Sequence, residues 1–386
     1  MGQIVNFIVP RSRVAQTHQT MREEILAAIE PFIFESLSKG ESVRKNFERD
    51  FAQKVGQPFG CATHSGTIGL YLALRGCGVG TGDEVITVGN SDISTTAAIS
   101  HCGATPVLCD VQESDYTIDP HLVEPLISER TKAILPVDLY GHPADVKQLR
   151  EIANHYSLKI VEDAALATGS LDHYRPVGTF ADVTVFSFAP LKPLGCAGNG
   201  AIITSHDEII ARRISILCGY GHAPENFQSR SGHQAHVEEG FNVPLDPLQA
   251  ALLAVKLPFL EQWTEQRRTV VATYQHMLQD LAVQLPTFRP ESNPNFRSYT
   301  IRVKNQQAIY QGLKKAGIEV VLHYTPPVYR QPVYPRGLPG SKYLPVTDRL
   351  AKELICLPVS AELTEKDVTY VAEVLRDLLT SEPDEN

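Results

Sequence analysis

The sequence has little of what membranes, nucleic acids or disulfide frameworks require. No stretch approaches the ~18 consecutive apolar residues of a membrane helix. The N-terminal MGQIVNFIVPRSR has too short an apolar run for a secretion signal and no small-residue cleavage site, so a cytoplasmic location is expected. Basic charge is in deficit: 35 Lys and Arg stand against 44 Asp and Glu, a formal charge of −9. That balance excludes a surface built to displace phosphate counterions from nucleic acid, while leaving room for a local basic pocket. The seven cysteines (Cys61, Cys77, Cys102, Cys109, Cys196, Cys218, Cys356) are odd in number and show no C-x-x-C spacing, which predicts reduced thiols. His233 and His236 form the best local histidine pair; the pair reads as a polar loop, and no metal site is expected. There is no internal repeat, and no low-complexity tract beyond the acidic tail at 381–386.

What is present is an ordinary globular composition, 43% hydrophobic and 20% charged over 386 residues, long enough for two or three domains. Helical periodicity opens at 20–37 and again at 44–55. From Phe59 onward, short apolar runs alternate with helical stretches at 67–76, 94–102, 121–127 and 146–156. Strands separated by helices of that length predict an α/β fold, a mostly parallel sheet with helices on both faces. VTVFSF and GAIITS follow one another without a helix, as an antiparallel addition would. The aperiodic stretch 219–240 is long enough to suggest a functional loop. A long helix after Pro247 should kink at Pro258, because an internal proline removes a backbone donor and clashes with the preceding turn. The remainder (YTIRV, a helix at 306–316, IEVVLHY, LICLPV, a helix at 365–378) reads as a smaller α+β unit. The expected division is a large domain, 1–257, and a small C-terminal domain, 258–386.

Four motifs carry chemistry. His64-Ser65-Gly66-Thr67 lies between a strand and a helix, where free backbone amides and the positive end of the helix dipole suit a phosphate; Ser and Thr there are also ordinary N-caps. Glu162-Asp163 ends a strand inside the sheet, where a carboxylate is costly unless matched by a cation such as a protonated ring nitrogen; an N-cap is the plainer alternative. Lys192 sits in FSFAPLKPLG, hemmed by Phe, Pro, Leu and Gly, surroundings that lower a lysine pKa and expose the nucleophilic amine. Asn242 lies in GFNVPLDPLQAA, which opens the long helix with Asp246 as cap and Pro247 at its first position. A phosphate cup, a strand-end carboxylate and an amine are the protein parts that pyridoxal 5′-phosphate requires.

Over nearly its whole length the sequence resembles the DegT/DnrJ/EryC1/StrS family of sugar aminotransferases, which are fold-type I pyridoxal-phosphate enzymes. The resemblance is carried by SGTIGLYLALRGCGVGTGDEVI, GATPVLCDV, TKAILPVDLYGHPADV, VEDAALATGS, the SFxPxKxLG lysine loop, FNVPLDPLQAALLAVKL, YTIRV and HYTPPVYRQPVY. It implies a Schiff base on Lys192, Asp163 at the pyridine nitrogen, and Gly66, Thr67 and Ser187 at the phosphate. It also implies a homodimer with composite sites, Asn242 reaching the neighbouring subunit's phosphate. Four positions depart from the family pattern: Asp92 where an aromatic residue stacks on the ring, Leu166 for glutamine, Pro244 for arginine and Tyr329 for histidine. Arg297 and Arg330, with Tyr324 and Tyr329, are then candidates for holding the substrate. The reaction implied is amino transfer from glutamate or glutamine to a keto sugar, possibly nucleotide-linked, or a keto-cyclitol. A dehydratase branch carries histidine in place of the lysine, and elimination or a regulatory protein without turnover are the alternatives.

Overall fold

The computed structural model describes residues 7–35, 40–223 and 235–380; His233 and the acidic tail lie outside them. The strands of the main sheet are β1 (Phe59–Thr63), β2 (Glu84–Val88), β3 (Thr105–Cys109), β4 (Thr131–Ile134) and β5 (Lys159–Asp163). A short hairpin follows, β6 (Leu171–Asp172) and β7 (Arg175–Pro176), and then β8 (Val183–Ser187) and β9 (Ala201–Ser205) complete the sheet. Its order is β1-β9-β8-β5-β4-β2-β3. Neighbouring strands are parallel except that β9 runs against both β1 and β8. VTVFS and AIITS are buried at every position, as strands covered on both faces must be, so apolar continuity replaces alternation in their sequence.

Because only β9 is reversed, β1, β2, β5 and β8 all end at one edge of the sheet. Ligands of open α/β sheets bind at such an edge. Helix α1 (Val14–Thr20), not foreseen, meets α2 (Arg22–Phe34) at Met21, and α2 is the helix expected at 20–37, whose last two positions lie outside the described residues. Then come α3 (Gly40–Lys54), α4 (Gly66–Gly76), α5 (Ile93–His101) and α6 (Val146–Tyr156). The helix expected at 121–127 is instead two 3-10 turns, Pro120–Leu122 and Glu124–Leu126, since Pro120 and Pro125 cannot donate to an α-helical ladder. Helices α7 (Glu208–Cys218) and α11 (Pro345–Glu353) were not foreseen, and IEVVLHY makes single bridges, Ile318 with Val9 and Val321 with Cys356, rather than a strand.

At Pro258 the long helix breaks into α8 (Pro247–Lys256) and α9 (Leu260–Leu278) across the 3-10 turn Leu257–Phe259. A second hydrophobic cluster begins at Val270. It joins α9 to β10 (Tyr299–Arg302), α10 (Gln306–Lys315), β11 (Leu354–Leu357) and α12 (Glu365–Thr380), and it also takes in Val9 from the N-terminal segment. Around β8 the core is aromatic: Phe51 meets Phe186 and Phe188, each with centroids 5.2 Å apart and edge to face. No helix among the described residues is long and apolar enough to cross a membrane.

Two contacts position the functional edge. A Cβ on Gly69 would lie 2.8 Å from Val185 Cγ1, so glycine lets α4 lie directly on β8. Asn295 is fully buried; its amide donates to Leu166 O (3.0 Å) and Thr168 O (2.8 Å), and its Oδ1 accepts from Arg297 N (2.8 Å). Asn295→Ala would strand those three backbone groups, so denaturant melts should show a loss of about 2–4 kcal/mol. A change within 0.5 kcal/mol would show that water replaces the side chain.

Candidate active site

Between β1 and α4 the chain turns through Ser65, whose extended backbone makes it the N-cap of α4. The Ser65 carbonyl accepts from Gly69 N (2.8 Å) and its hydroxyl lies 3.5 Å from Ile68 N. The amides of Gly66 and Thr67, one turn too early for a helical partner, are left for a ligand. An added Cβ at Gly66 would come within 3.3 Å of Ser187 Cβ; the glycine allows the helix start and the end of β8 to close on one point.

Asp163, the last residue of β5, is 4% exposed. Thr95 Oγ1 donates to its Oδ2 (2.9 Å), Ala165 N donates to its Oδ1 (3.2 Å), and the Thr95 hydroxyl lies 2.8 Å from that of Ser91. These bonds do not offset desolvation, which raises the Asp163 pKa above the usual carboxylate value. Glu162, one residue earlier, faces away: it accepts from Thr184 Oγ1 (3.1 Å), and burial, reinforced by Asp172, pushes its pKa to about 8. The strand's period of two thus separates the acids, one toward the cavity and one into the protein.

Lys192 enters the same cavity from the loop after β8. Desolvation and then Arg297 lower its pKa to about 8, against the opposing pull of Asp163 and Asp92. The cavity is about 240 Å³ and is lined by Ser65, Gly66, Thr67, Asp92, Asp163, Leu166, Ser187, Lys192 and Tyr324. Asp92 caps α5, accepting from Ser94 N (2.9 Å), so this departure from the family pattern has a local structural use. Leu166 presents an apolar wall.

Other expected residues lie elsewhere in this one chain. Arg297 lines a different cavity, one that also takes in Lys192. The Tyr329 hydroxyl donates to Asp348 Oδ1 (2.5 Å), and Arg330 pairs with the same carboxylate at 2.6 Å; neither lines the cavity, because Asp348 on α11 holds both away from it. Asn242 is exposed and bridges Gly219. Val243 O accepts from His64 N (2.9 Å) and Leu245 N donates to Ala62 O (3.1 Å), so the segment runs along the outer edge of β1. Pro244 falls there without depriving the edge of a needed donor. His236 Nδ1 lies 2.9 Å from Tyr220 O. Asp145, Asp172 and His173 bring ligand atoms within 4.8 Å of one another, but the Arg289 guanidinium already donates to Asp172 (2.7 Å). Sequence reasoning missed Thr95, Ser91 and Arg11; the run Ser94-Thr95-Thr96, one helical turn beyond the Asp92 cap, was the signal for the first.

The model of the DegT/DnrJ/EryC1/StrS aminotransferase family matches residues 19–376, and the chain belongs to that family. It is 36% identical over 360 residues, 92% of this chain and 93% of the relative, to a dTDP-3-amino-3,4,6-trideoxy-alpha-D-glucose transaminase of Streptomyces venezuelae. It is 33% identical over 373 residues, 96% and 98% of the two chains, to a pleiotropic regulatory protein of Geobacillus stearothermophilus. Among solved structures, S. venezuelae DesV in complex with a ketimine intermediate superposes with a TM-score of 0.90 at 33% identity, covering 98% of this chain and 100% of that one.

Among the described residues Thr95 supplies the one side-chain hydrogen bond donated to Asp163, a bond to a charged group of about 1.5–3 kcal/mol. Thr95→Val should therefore lower kcat roughly 10- to 100-fold while Thr95→Ser restores most of it. Steady-state rates for both variants check this; an unimpaired Thr95→Val with an impaired Thr95→Ser would mean that the methyl group, not the hydroxyl, matters.

Proposed function

We propose that this cavity holds pyridoxal 5′-phosphate and that the chain transfers an amino group from an amino acid to a keto sugar, nucleotide-linked, in amino-sugar biosynthesis. The observation that carries the reading is the convergence of three separately encoded parts on one 240 Å³ space: the open start of α4, the buried carboxylate of Asp163 and the desolvated amine of Lys192. A buried anion with no cation in contact is a group built for a cationic partner, and a protonated pyridine nitrogen is one. The amides of Gly66 and Thr67 and the Ser187 hydroxyl would take the phosphate. When bound, the cofactor supplies an electrophilic carbon and an electron-withdrawing ring that acidifies the carbon bearing the substrate's amine.

The chain's own residues do the rest. Lys192 Nζ, its pKa lowered to about 8 by burial and then by Arg297, would attach the cofactor and, as the free base, would take the proton from the substrate carbon and return it. The Asp163 carboxylate, held by the Thr95 hydroxyl and the Ala165 amide, would face the ring nitrogen. Leu166 and Tyr324 wall the cavity, excluding water from the reacting carbon. Exposed Asn242, on a segment hydrogen-bonded to β1, is available to a second subunit, which supports a homodimer with shared sites. The sugar acceptor follows from the likeness to the S. venezuelae sugar transaminase.

Two outcomes test this reading. Borohydride reduction of the loaded protein should label Lys192, and Lys192→Ala should abolish amino transfer with the fold intact; a label on another lysine overturns the assignment. The rate at which cofactor-free protein combines with pyridoxal 5′-phosphate, followed by absorbance, should rise with pH and level off above about 8, as the Nζ proton is lost. A rate still climbing steeply at pH 10 would mark a solvated lysine.

A further inference from the structure

Helix α8 meets the loop that carries Lys192 at two points. Gln249 and Lys256 stand seven residues apart, about 10.5 Å along a helix and close to one face of it. Gln249 Oε1 accepts from Ala197 N (2.9 Å), and Lys256 Nζ donates to Gly195 O. The loop has few bonds of its own. Its base is closed at Phe188 O, which accepts from Cys196 N (2.8 Å) and from Cys196 Sγ (2.9 Å). Inside it Lys192 N donates to Ala189 O (2.8 Å), while Pro190 and Pro193 have no amide to add. At Gly195 the chain doubles back so closely that a Cβ would come within 2.4 Å of Pro190 O. Whatever fixes the Gly195 peptide therefore also fixes Pro190 opposite it, two residues before Lys192.

Lys256 is 3% exposed. Three groups stand around its ammonium: Gly195 O, His18 Nε2 at 3.2 Å, and the Trp263 ring, whose centroid is 5.9 Å away. None of them is an anion. Burial lowers the Lys256 pKa to about 8 against the weaker pull of Cys196 and Glu362. Burial, then the Lys256 charge, lowers the His18 pKa as well, which keeps the imidazole neutral and able to accept at Nε2. A buried ammonium without a counter-ion is costly. Methionine, of like length and apolar, would suit these surroundings in every respect but one: it cannot donate to Gly195 O. The cost of the charge is thus sustained at the one point where the loop bearing Lys192 is gripped from outside.

We propose that Lys256 is a positioning residue for amino transfer: clamped between His18 and Gly195, its ammonium holds the loop in the form that keeps Lys192 turned into the cavity and partly desolvated. It acts through the loop and not on the reacting atoms. Released from the clamp, Lys192 regains water, keeps its proton at neutral pH and becomes a poorer nucleophile and base. This inference rests on the amino-transfer reading and adds a residue to it.

The test reads Lys192 directly. In the cofactor-free protein, competitive acetylation across a pH series, with Lys192 quantified by peptide mass, gives the pKa of that amine. In Lys256→Met it should move up from about 8 by roughly one pH unit or more, while the protein still melts within about 5 °C of wild type. With pyridoxal 5′-phosphate added, borohydride trapping on Lys192 should slow at least tenfold. Pyridoxamine 5′-phosphate, which makes no bond to the lysine, should bind within threefold of wild type. Lys256→Gln keeps a donor for Gly195 O and drops the charge, so it should recover most of both the pKa and the trapping rate. Failure of Lys256→Met to fold would make the residue a structural one and overturn the proposal. An unmoved Lys192 pKa in that variant, a Lys256→Gln that behaves as Lys256→Met does, or equal loss of trapping and of pyridoxamine 5′-phosphate binding would each overturn it too. If wild type neither traps pyridoxal 5′-phosphate on Lys192 nor binds the pyridoxamine form, while the Lys192 pKa still depends on Lys256, the amino-transfer reading has failed and the clamp stands.

Discussion

The arrangement depends on opposite charges held in desolvated proximity without being allowed to pair. Asp163 and Lys192 each lose hydration at the same cavity, one at a strand end and the other on a loop, and burial disfavours the charge on both. A direct ion pair would restore the lysine charge and end its use as a base. Thr95 and the Ala165 amide occupy the Asp163 oxygens, while Arg297 and Arg11 press the lysine toward neutrality from behind. The sheet makes this possible by ending six of its seven strands at one edge, so that the helix start, the acid and the amine approach the same space from different directions.

The same constraint explains what could be read from the sequence. Strands buried on both faces announce themselves as unbroken apolar runs, so β2, β8 and β9 were legible, as was the antiparallel insertion of β9 by the absence of a crossover helix. Asp163 and Lys192 were legible because an acid or an amine in apolar company demands a chemical reason. The two 3-10 turns at 120–126 were not, since periodicity suggested a helix and the prolines decided otherwise. IEVVLHY failed as a strand because its partners are isolated, Val9 from the far end of the chain and Cys356. Arg11 could not have been associated with Lys192, 181 positions away, without knowing that the N-terminal segment crosses to the smaller hydrophobic cluster.

Departures from the family pattern become local necessities in the structure. Asp92 earns its place as a helix cap, and Pro244 lies where an edge needs no donor. Tyr329 packs against Gly89, where any side chain would meet its ring at 2.8 Å, and ties its hydroxyl to α11. Substitutions that look like lost function in an alignment therefore combine two effects: a changed cavity surface and a repaired backbone.

One feature bears on how such a protein can diversify. The stretch between Cys218 and Val243 is closed at its base: Val243 N donates to Cys218 O (3.1 Å), Tyr220 N to Phe241 O (2.8 Å) and Phe241 N to Leu217 O (2.8 Å). A ring sealed in this way insulates its stem from its contents, because closure entropy grows slowly with the number of residues enclosed, by about 0.6 kcal/mol per doubling. Insertions or deletions distal to the seal can be sampled by drift without moving Asn242 or the strand-like segment on β1. Variation in length is thereby uncoupled from the catalytic geometry.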